Sequence, residues 1–353
     1  MRYRYFRYRV MSFFKYHRQF WKLYMKYLSA AMFVSFTSML CVTMSEDLVD
    51  WFRGFHTKID VKKLAKEYAD DSNIYADTAI ADQMFKKVRV LCLVITVESH
   101  LEKAVNVVNI TWGSRCNKII YVLCTDKNEK DFLNSCHLRE SKSHLVGKVR
   151  FTFRHVYQHY VDHYDWFLKA DDDTYVIMEN LRFLLSFHNP DLPGYLGYHF
   201  KMHLKQGYMS GGAGYVISRK GVKKLFEDGF KVDGCDADGY DEDLEIGRCL
   251  QRAGVPPLVS YDKFGRETFH TDKMWQHVYG TYPSYLNKYS WNGLRNGAGC
   301  CSQFSVTFHH VNPQTMLFMD HLLYRTSVYG RNTPTDINDI FPQAKVLPLD
   351  MKH

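Results

Sequence analysis

Two uninterrupted apolar runs, VRVLCLVIT at 88–96 and KIIYVLCT at 118–125, constrain this chain more than any other feature. Each is short, rich in Val and Ile and bounded by polar segments, which reads as a buried strand. Between them HLEKAVNVVNITW (100–112) has helical spacing, so the order is β-α-β. Such alternation predicts an α/β fold, a mostly parallel sheet with helices on both faces. A helical stretch around 144–163 follows, and then DWFLKADDDTYV (165–176). Its apolar residues 166–168 predict a strand that runs into three aspartates. In open α/β sheets ligands gather beyond the carboxyl ends of strands, and the triplet falls at that edge.

The formal charge of +8 invites a nucleic-acid reading, but its location matters more than its size. Arg2, Arg4, Arg7, Arg9, Lys15, Arg18, Lys22 and Lys26 are the charged residues of the first 26, with no acidic one. Without those eight, 38 basic residues face 38 acidic ones, so the body lacks the net positive charge that phosphate neutralisation needs. No nucleic-acid partner is expected. No charge occurs between Lys26 and Glu46, and residues 27–45 (YLSAAMFVSFTSMLCVTMS) would span about 28 Å as a helix, close to the thickness of a thin bilayer. A buried core helix is the alternative, since Ser and Thr dilute the run. The basic flank, with Trp21, Tyr24 and Tyr27 at the interface, predicts a cytosolic N-terminus and a lumenal body. The layout expected is a cytosolic tail 1–26, a transmembrane signal-anchor 27–45, a stem 46–87, a catalytic domain 88–335 and a C-terminal tail 336–353. Outside the anchor lie eight cysteines, an even number suited to bridges in an oxidising lumen. No CxxC or His-rich spacing points to structural zinc. One sequon, Asn109-Ile110-Thr111, falls in an expected helix.

Four segments carry chemistry. Asp171-Asp172-Asp173 places carboxylates side by side, tolerated at a strand end in full solvent or around a hard divalent cation. Its apolar flanks, Trp166 to Leu168 and Tyr175 to Ile177, favour the cation. Ser210-Gly211-Gly212-Ala213-Gly214 runs into the strand YVIS; it is a plain loop or a place where a ligand approaches the backbone, and it lacks dinucleotide and P-loop spacing. Asp241 to Leu250 has the apolar spacing of a helix beginning at its acids, which are ordinary helix caps or reactive carboxylates. FSVTFHH ends at His309 and His310, before Asn312-Pro313 starts a helix. A neutral imidazole there could complete a Mn²⁺ site with carboxylates and phosphate oxygens, or be structural.

WFLKADDDTYV, KQGYMSGGAGYVISR, EDLEIGRCL, GCCS and FHHV resemble, in order and spacing, motifs of the core 1 β1,3-galactosyltransferases (T-synthase-like) within the β1,3-glycosyltransferases. The resemblance spans about residues 88–330. It implies a GT-A fold and inverting, Mn²⁺-dependent transfer of galactose from UDP-galactose to the 3-hydroxyl of GalNAc on Ser or Thr, the step that makes core 1 O-glycans. It also implies the single-pass type II layout of Golgi membrane enzymes. Carried over residue by residue, Asp171 and Asp173 are the DxD acids and, with His309, the metal ligands. Asp243 is the general base. Thr96, Arg115, Lys148, Asp171 and Asp172 fall on the donor side; Tyr208, Gly211, Gly212 and Glu242 fall on the acceptor side. The implied bridges are Cys92–Cys116, Cys235–Cys249 and a vicinal Cys300–Cys301. A homodimer is left open.

Departures from the family pattern cluster at two edges. Thr96-Val97-Glu98 replaces a Thr-x-Pro turn, and Val146-Gly147-Lys148-Val149 replaces Trp-Gly-Lys-Thr. Downstream, Asp272 to His277 replaces Pro-Glu-His-His, and Ser284 to Asn287 stands where an aromatic run is usual. These leave two alternatives: a divergent β1,3-glycosyltransferase with another acceptor, or a chaperone-like, non-catalytic relative. The topology has a direct test. Protease added to sealed microsomes is expected to leave the C-terminal body intact, and digestion of that body without detergent would refute the type II layout.

Overall fold

The structure, a computed structural model, describes residues 76–231 and 235–328 together with 25–28, 64, 67 and 74. The chain divides into two units, Met1–Asp60 and Val61–His353. In the first, residues 25–28 are helical. No described helix is long and apolar enough to cross a membrane. The expected anchor lies, apart from residues 27 and 28, outside the described residues, as do the basic tail up to residue 24 and the C-terminal tail 336–353.

The second unit is built on a six-stranded sheet of order β3-β2-β1-β4-β9-β6. Its strands are β1 (Val90–Ile95), β2 (Lys118–Leu123), β3 (Phe132–Asn134), β4 (Trp166–Asp171), β6 (Tyr195–Gly197) and β9 (Tyr215–Ser218). The first four run parallel. β9 runs antiparallel to both β4 and β6, so the sheet is parallel-rich but mixed, not uniformly parallel. Just before β9 the chain turns tightly: the Gly214 amide donates to the Gly211 carbonyl at 3.1 Å, with Gly214 at φ +76°. A tight turn of this kind favours a residue without Cβ.

Every residue of β1 is buried, as its unbroken apolar run predicts. Leu91, Leu93 and Ile95 share one core with Val149, Phe153 and Val156 of helix α3 (Leu145–His159), Val222 and Leu225 of α5 (Arg219–Glu227), and Ile246 and Leu250 of α6 (Glu242–Arg252). Val90, Cys92 and Val94 alternate with them onto the other face and are equally buried. Helices therefore cover both faces, each fully buried Leu, Ile or Phe contributing about 1.5–3 kcal/mol.

Helix α1 (Ala79–Lys87) falls in the stretch expected as stem, yet it packs on the body. The Asn117 side chain donates to the Phe85 carbonyl at 2.9 Å, and the Arg182 guanidinium lies 4.7 Å from the centre of the Phe85 ring. The short helix α2 (Asn106–Ile110) carries Asn109 on an exposed face, while Thr111 of the same sequon is buried and donates to the Val107 carbonyl at 2.7 Å.

Two small pieces outside the main sheet set the site. β5 (Tyr175–Val176) pairs antiparallel with β10 (Thr307–Phe308), Tyr175 opposite Phe308. The pairing carries the residues after Phe308 to the acidic triplet, and the Val311 amide donates to the Asp173 carbonyl at 2.8 Å. Helix α9 (Pro313–Tyr324) then starts as predicted, with the Asn312 side chain accepting from the Thr315 amide.

The three implied bridges are present, and Cys124–Cys136 is a fourth that the resemblance left unassigned. Its two halves meet because β2 and β3 pair side by side, with Leu123 opposite Asn134. Peptide mapping of unreduced protein is expected to recover all four pairs. Opening Cys92–Cys116 by a double Cys→Ala change should cost about 3 kcal/mol, and an unchanged unfolding midpoint would count against that bridge.

Candidate active site

β1 and β4 run in parallel register with Ile95 opposite Asp171, so Thr96 and Asp172 emerge together at the carboxyl edge of the sheet. Each acid of the triplet has its own surroundings. Asp171 accepts a hydrogen bond from Lys169 Nζ at 2.8 Å. Asp172 turns inward, accepting from the Thr96 hydroxyl and lying 2.8 Å from His100 Nδ1. Burial raises the Asp172 pKa above the ordinary carboxylate value, the bonds from Thr96 and His100 opposing it. Asp173 faces His309 Nε2 at 3.3 Å and His310 Nδ1 at 3.5 Å. Burial works against its ionisation, but the two imidazoles outweigh burial and hold its carboxyl below the usual range. Burial likewise opposes a charged His309, and Asp173 more than offsets it, raising the His309 pKa.

The glycine-rich segment threads between these groups and α6. A Cβ on Gly212 would fall 2.1 Å from His309 Cε1, and one on Gly211 would fall 2.8 Å from Glu242 Oε2. Side chains are excluded at both positions by close packing of the site on itself. Thr174 Oγ1 donates to the Gly212 carbonyl and Thr307 Oγ1 to that of Ala213, fixing the segment to β5 and β10.

At the start of α6, Glu242 is buried, accepting from Tyr215 OH at 2.5 Å and pairing with Lys169 Nζ at 3.2 Å. Asp243 stands at the cleft wall. One of its oxygens accepts from the Gly211 amide at 2.9 Å and the other from the Leu244 amide at 2.8 Å. Burial raises the pKa of both acids, against the lysine for Glu242 and against the two amides for Asp243. Each Asp243 oxygen keeps a lone pair for a further donor. The N-cap of α6 is Asp241, which makes no side-chain capping bond, so Asp243 in the first turn is held by the Gly211 and Leu244 amides without serving as the cap.

A cleft of about 750 Å³ joins these elements. It is lined by Thr96, Lys148, all three triplet acids, Gly211, Gly212, Glu242, Asp243 and His309, ten of the twelve residues expected at the donor, acceptor, metal and base positions. Arg115 and Tyr208 are not among the lining residues. The Arg115 guanidinium is held by Asp320 at 2.7 Å and lies over the Tyr324 ring at 3.6 Å, tying the turn before β2 to α9. Tyr208 is buried, its ring edge-on to Phe200 at 5.4 Å. Lys148 reaches the cleft, but its ammonium is engaged by Glu140 and by the Thr96 carbonyl. Among the lining residues outside the expected site set are three with ionisable or ligating side chains, His100, Lys169 and His310. Lys169 had a signal, a lone charge inside an otherwise apolar strand.

Asp173, His309 and His310 offer three ligand atoms within 4.8 Å of one another. Carboxylate and imidazole donors fit a first-row divalent ion, Mn²⁺ included. Asp171, expected as a ligand, is outside this group, and one of its oxygens accepts from Lys169 Nζ.

Residues 86–320 match the Fringe-like family. The glycoprotein-N-acetylgalactosamine 3-beta-galactosyltransferase 1 of Xenopus laevis is 35% identical over 260 residues, 72% of this chain and 71% of that protein. A beta-1,3-glucosyltransferase of Mus musculus is 25% identical over 174 residues, 48% of this chain and 35% of that protein. Among solved structures, a glycosyltransferase involved in glycosylation of the major capsid of PBCV-1 aligns with 50% of this chain and 82% of its own, at 14% identity and a TM-score of 0.32. The chain belongs to the Fringe-like family, as a glycosyltransferase of the core 1 β1,3-galactosyltransferase-like kind.

Lys169 is completely buried, and Asp171 and Glu242 together outweigh the burial that opposes its charge. Lys169→Met is expected to cost about 3–5 kcal/mol by leaving Glu242 charged and unpaired, and adding Glu242→Gln should recover most of the loss. Thermal unfolding of both variants checks this; an unchanged melting curve for Lys169→Met would overturn it.

Proposed function

We propose that this chain transfers galactose from UDP-galactose to the 3-hydroxyl of GalNAc on Ser or Thr, with inversion at the anomeric carbon. The observation that carries the reading is the placement of Asp243 on the same cleft as Asp173 and His309, with Gly211 and Gly212 threaded between. A carboxylate raised by burial is a better base near neutrality than an ordinary one. Asp243 takes the proton of the acceptor hydroxyl as its oxygen attacks the anomeric carbon from the face opposite UDP. The bond from that carbon to the UDP oxygen breaks, its electron pair leaving with the diphosphate. One displacement inverts the centre and needs no enzyme nucleophile. The Gly211 and Leu244 amides hold the Asp243 carboxylate in place, and Lys169 fixes the acids on either side.

Asp173 and His309, with Asp171 as the second acid of a DxD pair, are the residues that would hold Mn²⁺. When bound, the ion supplies Lewis-acid neutralisation of charge on the departing diphosphate. His309 Nδ1 lies 3.1 Å from the Thr271 carbonyl, a contact that leaves Nε2 facing Asp173 as a lone-pair donor. Thr96, Lys148 and Asp172 form the donor end of the cleft in this reading, and Glu242 supports the acceptor side. The acceptor identity rests on the name of the frog relative. A type II anchor in the Golgi membrane, with the body in the lumen, belongs to the same proposal and rests on the charge step at Lys26.

Asp243→Asn keeps shape and loses basicity. It is expected to fold and retain UDP binding, with a melting temperature lowered somewhat because its NH2 cannot accept from one of the two backbone amides, while transfer to a GalNAc-peptide falls by about 10² to 10⁴. Asp241, not Asp243, stands at the N-cap of α6, so an Asp243 with only a structural role would leave transfer near normal in the folded variant. That result would place the base elsewhere.

A further inference from the structure

Successive side chains of a strand point to opposite faces, so adjacent histidines at a strand end ordinarily cannot serve one site. His309 and His310 break that rule. Their rings stack with centres 3.8 Å apart and planes 26° apart, and both present a nitrogen to the same carboxylate, Asp173. The backbone makes this happen. His310 has φ +55°, a left-handed conformation uncommon outside glycine, and the strained residue is held from both sides. Before it, Phe308 is paired with Tyr175; after it, the Val311 amide donates to the Asp173 carbonyl. With its ends anchored on either side of the triplet, the turn at 309–310 brings both imidazoles over Asp173.

We propose that His310 is an additional nitrogen ligand of the divalent ion, adding a second imidazole to the ligands named above, with Asp173, His309 and His310 its tightest cluster. This inference rests on the metal-dependent reading above. The separations suit it. Ligands about 2.1 Å from one ion stand about 3.0 Å apart at right angles and about 4.2 Å apart when opposite; Asp173 Oδ1 lies 3.3 Å from His309 Nε2 and Oδ2 3.5 Å from His310 Nδ1, and one ligand atom from each of the three residues falls within 4.8 Å of the others. His310 is 54% exposed at the cleft, so an ion and its remaining ligands have room to approach from solvent. The chemical consequence is selectivity. Oxygen-rich sets suit Mg²⁺, Ca²⁺ and Mn²⁺, whereas each added imidazole steepens the preference for later first-row ions such as Co²⁺. This chain should therefore favour Co²⁺ over Mn²⁺ more strongly with His310 than without it.

The test is binding of the metal alone to the full chain, freed of metal beforehand. Mn²⁺ and Co²⁺ are titrated by calorimetry, with and without UDP, while the visible ligand-field absorption of bound Co²⁺ is recorded. The variants are His310→Asn, since asparagine accepts left-handed φ, His310→Gly as a second replacement that cannot strain there, His309→Asn and Asp173→Asn. The expected result is that both His310 variants bind Co²⁺ at least about tenfold more weakly, with an altered cobalt spectrum and a reduced Co²⁺-to-Mn²⁺ affinity ratio. If both His310 variants match wild type while His309→Asn and Asp173→Asn lose the ion, the metal site stands and His310 is not its ligand. If the wild type binds neither ion, or no variant alters binding, the metal-dependent reading fails together with this proposal.

Discussion

A single buried ammonium holds the two halves of this cleft in register. Lys169 Nζ reaches Asp171 at the end of β4, Glu242 at the start of α6 and the Gly211 carbonyl between them. A lysine sealed in a core carries a large desolvation cost, and only paired charges and hydrogen bonds make it tolerable. Here the partners are parts of the site itself. The strand that delivers the acidic triplet and the helix that delivers Asp243 are thus tied by one charge that neither can abandon. Buried ion pairs are weak evidence for stability as such, but a fully satisfied one specifies a unique arrangement. That suits a site in which two carboxylates must keep their separation while a substrate enters.

The glycines are the other half of the same constraint. With Lys169 drawing Gly211 toward the acids, no room remains for a Cβ at 211 beside Glu242 or at 212 beside His309. What reads in the sequence as a permissive loop is a crowded one, where glycine serves close approach more than flexibility. The β5–β10 pair closes the arrangement from the far side, and its price in backbone strain is concentrated at His310. The strain, the missing side chains and the buried charge all occur within one cleft, where local rules are expected to be broken for function.

Much of this was legible from residue order. The apolar runs at 88–96 and 118–125 became β1 and β2, trimmed by a residue or two at their ends, and the acid-led segment at 241–250 became α6. The triplet, glycine segment, α6 acids and His309 do line one cleft. Arg115, expected on the donor side, pairs with Asp320 205 residues away, and no local pattern announces so distant an ion pair. Tyr208, expected on the acceptor side, packs edge-on to Phe200, and an aromatic next to a glycine segment looks the same in sequence whether it faces a ligand or another ring. The Cys124–Cys136 bridge escaped because connectivity depends on which strands become neighbours.

By itself the sequence determined which segments are strands and helices and which residue types are available for chemistry. Apolar periodicity and charge placement are local properties, and burial acts on each segment through its own pattern. The tertiary structure decided which of those residues face one another. It reversed β9 against β4, turned Asp172 inward to Thr96 and His100, and gave Asp171 to Lys169. It also set His310 beside His309 at Asp173. Three adjacent aspartates are chemically identical in the sequence. They become different only when desolvation and neighbouring charges, which depend on distance through space and not along the chain, act on each one separately.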